Sequence, residues 1–124
     1  MARGDEALRA AEELVRLELS NDAISRAYYA AYHWARALLY TKGLESKTHR
    51  GVIQLLGLHF VREGMLAEEA VHLLGQLADN REASDYSASV RFTEDESRQA
   101  IESAKRFIAL IRPLVMSVGR APQM

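Results

Sequence analysis

The longest stretch without a helix breaker, residues 21–42, most constrains what this chain can fold into. It contains four of the five tyrosines and the only tryptophan. At about 100° per residue, its apolar side chains cover most of the helix circumference. Because a helix that is apolar on two flanks needs neighbours on both, this stretch predicts the central helix of a bundle.

The faces of this central helix differ in chemistry. The stripe predicted to enter the core comprises Ile24, Tyr28, Ala31, Ala35 and Leu38. A flank predicted to pack against a second chain or a neighbouring helix comprises Ala23, Ala27, Ala30, Trp34 and Ala37. The remaining arc must face something polar, because it carries Arg26, Tyr29, His33, Arg36 and Tyr40.

Four further helices are predicted, at about residues 5–19, 48–62, 66–80 and from 94 onwards. Their periodicity is helical and their connections are short, which favours antiparallel neighbours. Whether residues 81–86 extend the fourth helix stays open. The predicted fold class is all-α, an up-and-down antiparallel bundle of about five helices.

Several residues are predicted to begin or end these helices. Ser20 and Asn21 can cap the central helix, Gly43 can end it, and Thr48 can cap the third. Thr93 and Glu96 have the spacing of a capping box for the fifth helix. Two residues fall inside helical patterns: Gly57 predicts a close backbone approach, and Pro113 predicts a kink or an end near Arg112.

Length and composition limit the possible classes of protein. A chain of 124 residues predicts a single domain, 1–124, with 119–124 as a loose tail. The net charge of −1 offers no global attraction for nucleic acid, but thirteen of the sixteen basic residues are Arg, which binds carboxylates and phosphates bidentately. With no cysteine, no leader pattern and no segment apolar enough to span a bilayer, we expect a cytoplasmic protein.

Motifs for common chemistries are incomplete. A di-iron bundle site needs two Glu-x-x-His elements, and Glu69 with His72 forms just one, which we interpret as a solvated helix face. The four histidines do not have zinc-ligand spacing. There is no Gly-x-Ser-x-Gly elbow and no glycine-rich phosphate loop. We therefore predict no metal and no cofactor.

Two polar clusters remain as candidates for function. On the central helix, Arg26 and His33 lie on one face with Tyr29 between them. After the predicted fourth helix, the run NREASDY carries Arg81, Asp85 and Tyr86. A purely structural interpretation of the second cluster is an ion pair between Arg81 and Asp85. On the same interpretation, the first cluster holds Arg26 paired with an acid and His33 hydrogen-bonded to a backbone carbonyl or a tyrosine.

Taken together, three runs resemble the HEPN domain family, in its short stand-alone bacterial and archaeal branch. They are SRAYYAAYHWARALL, KTHRGVI and NREASDY, in that order, and the resemblance extends from about Asp5 to Ile111. It implies a five-helix, mostly antiparallel bundle and a homodimer built on the long helices. It also implies a partner nucleotidyltransferase in many cases, with the two acting as a toxin–antitoxin pair.

Many members of this family are RNases, which use an Arg followed after four to six residues by His. Here Arg81 matches the Arg, but the following window contains no His, and Tyr86 stands where the His could be. A phenol with a pKa near 10 is a poor base at neutral pH. Arg26 and His33 satisfy this Arg-to-His spacing, but they lie on the central helix and not where the motif of the family usually falls. Another branch of the family carries a Tyr two residues after the His. Here the residue two positions after Tyr86 is Ala88, so that Tyr is absent.

Three functional hypotheses follow. The first is a non-enzymatic, homodimeric binding module for a nucleotide or RNA phosphate, with Arg26, Tyr29, His33, Arg81, Asp85 and Tyr86 as candidate binding residues. The second is a metal-independent RNase toxin that uses Arg26 or Arg81 with His33. The third is a purely structural partner whose aromatic arc binds another protein.

Overall fold

The computed structural model describes residues 2–86 and 91–119, and for residues 2, 86, 118 and 119 the backbone only. The described residues form an all-α bundle, as predicted. Its helices, in chain order, are α1 (Ala2–Arg16), α2 (Ser20–Tyr40), α3 (His49–Leu56), α4 (Glu68–Tyr86) and α5 (Glu94–Gly119). A π-helical turn, Gly57–Val61, follows α3 directly.

α2 lies at the centre and packs against the other four helices. All five residues of the predicted core stripe are buried, and so are Ala23, Ala27, Ala30 and Trp34 of the small-residue flank. α5 also contacts α1 and α4 beside it, so neighbouring helices of the same chain cover both apolar flanks of α2.

Side-chain contacts show that α1 and α5 run antiparallel and that the start of α2 meets the end of α4. Asp5 pairs with Arg112 at 3.3 Å, and Glu12 lies 3.5 Å from Lys105, so α1 and α5 run in opposite directions. At the other end of the bundle, the Asn21 carbonyl accepts a hydrogen bond from Ser84 Oγ at 3.3 Å. This contact joins the start of α2 to the last turn of α4.

α1 approaches α2 closely at Gly4. A Cβ atom there would lie 2.5 Å from Cδ1 of the fully buried Trp34 ring and 3.3 Å from the Ala30 carbonyl oxygen. The guanidinium of Arg112 lies over the same indole, with Cζ 4.9 Å from the ring centroid. Trp34 is therefore enclosed by three helices.

The predicted helix ends are partly confirmed. Gly43 has φ +69° after α2, and the Thr48 hydroxyl accepts a hydrogen bond from the Gly51 amide at 2.9 Å. The capping box at the start of α5 forms in both directions, at 2.9 and 3.1 Å. The predicted capping of α2 is wrong: Leu19 is the N-cap residue, without a side-chain hydrogen bond, because Ser20 is already helical.

The structure overturns one sequence expectation about the helices and settles two that were left open. Among the described residues, no atom beyond its chain neighbours and its own helical turn lies within 4 Å of a Cβ built on Gly57, so the predicted close approach is wrong, and Gly57 instead begins the π-helical turn. α4 continues to Tyr86, which settles the state of residues 81–86. α5 continues through Pro113 to Gly119. The rest of the predicted tail, 120–124, lies outside the described residues.

Candidate functional site

Three tyrosines of α2 form an aromatic layer that faces α3 and α4. Tyr28 belongs to the core stripe and is buried. Its ring stacks on that of Tyr32, one turn along, with centroids 5.5 Å apart, and it meets the Tyr29 ring edge-on at 5.5 Å. Tyr29 and Tyr32 are half-buried, so this layer reaches from the core to the surface.

His49 is brought against this layer as the first residue of α3. The Thr48 cap starts the helix at this point and fixes the direction in which His49 leaves the backbone. The imidazole lies edge-on to the rings of Tyr28 and Tyr32, with centroids 5.0 and 5.2 Å away. Nδ1 of His49 is hydrogen-bonded to the hydroxyl of Tyr28.

Arg81 of α4 completes the site. Its Nη1 donates to Nε2 of His49 at 3.0 Å, and its Nη2 donates to the Tyr29 hydroxyl at 2.9 Å. Cζ lies 5.1 Å from the Tyr29 ring centroid, within the range of a cation–π contact. The side chain is only 19% exposed. We refer to Tyr28, Tyr29, Tyr32, His49, Arg81 and Asp85 as the Arg81 cluster.

Asp85, one turn further along α4, balances part of the positive charge of Arg81. Its Oδ2 lies 2.9 Å from Nε of Arg81. The buried Nε–H does not point at that oxygen well enough for a hydrogen bond, so the contact is an ion pair. The guanidinium is thus held by a carboxylate on one side and by an imidazole and a phenol on the other.

The contacts of His49 fix its protonation state. A guanidinium can only donate, so Nε2 of His49 must accept. In the neutral ring the proton is then on Nδ1, and it is donated to the Tyr28 oxygen. Burial, and then the charge of Arg81, lower the pKa of His49, which Glu82 partly offsets. Burial, and next Tyr32, raise the pKa of Tyr28 above its ordinary value. Both groups are therefore neutral near pH 7.

A cavity of about 570 Å³ opens beside the Arg81 cluster, between α3 and α4. Its lining includes the side chains of His49, Arg50, Asp79, Arg81 and Glu82. Two cations and two carboxylates give it a mixed charge. A ligand there could reach the guanidinium of Arg81 and the imidazole of His49 together.

Five of the six site residues predicted from the sequence fall into three groups. Tyr29, Arg81 and Asp85 meet in the Arg81 cluster. Arg26 is exposed and takes no part in those contacts. His33 lines a different cavity, of about 360 Å³, and its ring centroid lies 6.3 Å from that of Tyr29.

The pKa of His33 is lowered by burial and by the nearby cations Arg3 and Arg36. Tyr86 ends α4, but its side chain lies outside the described part of the structure.

Sequence reasoning did not select His49 as a site residue. It is 21 positions from Tyr28 and 32 from Arg81, so neither helical spacing nor a local motif connects it to them. The available signal was the Thr48 N-cap, which places His49 at the first turn of α3, within the KTHRGVI run.

The described residues contain neither a candidate metal site nor a helix that could cross a membrane. Within 2–86 and 91–119, no group of three or more His, Asp or Glu side chains could hold a metal ion. Glu69 instead pairs with Arg106 at 3.0 Å, and the His72 side chain is exposed. No helix among these residues has the length and apolar character needed to cross a bilayer.

Comparison with known proteins gives the family. The sequence model of the HEPN domain matches residues 1–114. The chain belongs to the HEPN domain family. This HEPN chain is 38% identical to a protein of Methanocaldococcus jannaschii named as a candidate toxin, over 92% of this chain and 84% of that protein.

Two further relatives cover the HEPN chain almost completely. A UPF0332 protein of Thermotoga maritima is 31% identical over 96% of this chain and 90% of its own length. A second M. jannaschii protein named as a candidate toxin is 25% identical over 93% of this chain and 78% of its own.

Proposed function

We propose that this chain is a HEPN-type, toxin-like module that binds the phosphate of a nucleotide or RNA at the Arg81 cluster. The toxin-like part is supported by the names of the M. jannaschii relatives. The observation that carries the binding part is the fixed guanidinium of Arg81, which two directed hydrogen bonds and an ion pair hold at the edge of an open cavity.

Such a guanidinium suits a phosphate for a physical reason. Arg presents its N–H groups in a planar fork that matches two phosphate oxygens, and a fork already held in place loses little conformational entropy on binding. Two of the four Nη hydrogens are used by His49 and Tyr29, which leaves two for a ligand. Tyr29 and Tyr32 are half-buried and offer ring surface on which a base could stack.

Acidic residues in and beside the Arg81 cluster limit the affinity that we expect for a phosphate. Asp79, Glu82 and Asp85 oppose an anion, while Arg50 and Arg81 favour it. We therefore expect modest affinity that decreases as salt is raised, because few phosphate charges are neutralised.

Binding of a short RNA and of AMP to the Arg81→Met variant tests this proposal. A hydrogen bond to a charged group contributes about 1.5–3 kcal/mol, so we expect affinity to fall about tenfold or more. Arg98→Met is the matched control, because Arg98 also forms an i,i+4 ion pair on a helix, with Glu94, but at an exposed position. Equal affinities for the two variants would contradict the proposal.

Assembly is the second part of the proposal. The module would act in the cytoplasm as a homodimer, paired with a small nucleotidyltransferase in a toxin–antitoxin-like system. This rests on the HEPN membership of the chain. Light scattering that shows a strict monomer would remove the dimer, and co-purification from the native host would test for the nucleotidyltransferase.

The contact between Arg81 and His49 favours RNase activity as a second candidate function. Imidazole can take the 2′-hydroxyl proton while guanidinium stabilises the charge that develops on the phosphate. The attacking 2′-oxygen would bond to phosphorus as the bond from phosphorus to O5′ breaks, and the departing O5′ would take a proton from water. His49, 3.0 Å from Arg81, is a better base candidate than His33, which lines another cavity.

In the free protein Nε2 of His49 accepts from Arg81, so it can act as a base only once a phosphate bound to the free Nη hydrogens also competes for this one. Incubation with RNA in EDTA between pH 6 and 9 tests the RNase function. We expect cleavage by the parent and by His33→Gln, and none by His49→Gln. If the parent leaves the RNA intact throughout this range, the second candidate is excluded.

A further inference from the structure

We propose that binding of a phosphate beside Arg81 is accompanied by the uptake of one proton by His49, which then donates to the phosphate as a second cationic group. This inference rests on the proposed function and deepens it. It gives His49 a binding role and makes affinity at this site depend on pH.

The hydrogen bonds of the free protein keep Nε2 of His49 without a proton. Nε2 of His49 can accept from Arg81 only while it carries no proton. Nδ1 is occupied by the Tyr28 hydroxyl, so Nε2 is the one position where a second proton can enter. The charge of Arg81, 3.0 Å away, opposes that proton in the free state.

A bound phosphate reverses this balance. Its negative charge attracts the Nη1 hydrogens and competes with Nε2 for them. The freed Nε2 then lies beside an anion, and an opposite charge at this distance favours the protonated imidazole. Because the two nitrogens are hydrogen-bonded to each other before binding, both can reach one phosphate group without a backbone movement.

The other groups around His49 do not supply this proton uptake. From α2, the phenols of Tyr28 and Tyr32 face the imidazole, and burial raises the pKa of Tyr28 above its ordinary value. On α3, Arg50 is a permanent cation. From α4, the carboxylates of Asp79, Glu82 and Asp85 lie around the site. His49 is thus the group of this site whose ordinary pKa lies closest to neutral pH.

The direction of the pH effect follows from linkage. Phosphate binding raises the pKa of His49, so affinity increases as the pH falls through the interval between the free and bound pKa values. The increase is at most about tenfold per pH unit for one proton. Below the free pKa and above the bound pKa, affinity becomes constant.

Isothermal titration calorimetry with a deoxydinucleoside monophosphate tests the inference. This probe has one phosphodiester, which does not titrate between about pH 5 and 8, and it has no 2′-hydroxyl that could attack the phosphate. Titrations in buffers of different ionisation enthalpy give the number of protons bound. We expect a value between zero and one for the parent near pH 7, and zero for His49→Gln.

His72→Gln is the matched control, because His72 is exposed on α4 and should leave the proton uptake unchanged. Absence of binding would overturn the proposed function and this inference with it. Binding without proton uptake, or with the same uptake in His49→Gln, would overturn this inference alone.

A second measurement needs no ligand. In a ¹⁵N NMR titration, Arg81→Gln should raise the pKa of His49, since it removes the adjacent cation. An unchanged titration would overturn the inference at its first step.

Discussion

The Tyr28→Phe substitution removes one buried oxygen and keeps the ring. Tyr28 is 1% exposed, and its hydroxyl is hydrogen-bonded to Nδ1 of His49. The lost hydrogen bond contributes about 1 kcal/mol, and an unpaired Nδ1–H would add up to about 2 kcal/mol more if it were fully buried. Since His49 is half-buried, water can reach it, and we expect the free energy of unfolding to fall by about 1–2 kcal/mol.

For a chain of this length, such a loss lowers Tm by about 3–8 °C, which thermal unfolding followed by circular dichroism resolves easily. Tyr40→Phe is the control, because Tyr40 is 71% exposed, and a surface change of this kind stays within about 0.5 kcal/mol. If Tyr28→Phe destabilises the protein no more than Tyr40→Phe does, the hydrogen bond assigned to His49 is refuted.

Three further predictions concern packing, capping and pH. Gly4→Ala should lower stability by about 1–3 kcal/mol, because its Cβ would overlap the Trp34 ring; a rise in Tm would contradict the close approach. Thr48→Ala should cost about 1 kcal/mol by removing the N-cap of α3, as urea unfolding would measure; no change would argue against the cap. The folded-state pKa values of His33 and His49 lie below their unfolded value, so the unfolded chain binds more protons as the pH falls. Tm should therefore decrease from about pH 7 towards pH 5, less steeply in His49→Gln; an equal slope would exclude His49 as a contributor.

Much of the fold could be predicted because it depends on local patterns. The core stripe from Ile24 to Leu38 repeats with the helical period, and the Thr93 capping box is complete within four residues. Predictions of helix ends failed where a short sequence signal is compatible with two local structures. Ser20 can cap a helix or begin one, and here α2 starts one residue before the predicted cap would allow.

The site could be predicted only in part, because its contacts join residues distant in sequence. Tyr29 and Arg81 were selected for their chemistry, and the structure joins them across 52 positions. His49 was missed, since nothing around it in sequence indicates which helix it will face. Arg26 and His33 lie on the same arc of α2 as Tyr29. The contact from α4 falls at Tyr29, whose hydroxyl accepts from Arg81. Helical spacing defines a face without saying where along it a partner will lie.

The order of the Arg81 cluster along the chain has a consequence during synthesis. Its parts come from residues 28–32, then 49, and finally 81–85, so the first two are made well before the guanidinium that joins them. A nascent chain that ends before α4 therefore lacks the charged group on which either proposed activity depends. A translation product truncated before Arg81 should be inert towards RNA, even if α1 and α2 have already paired.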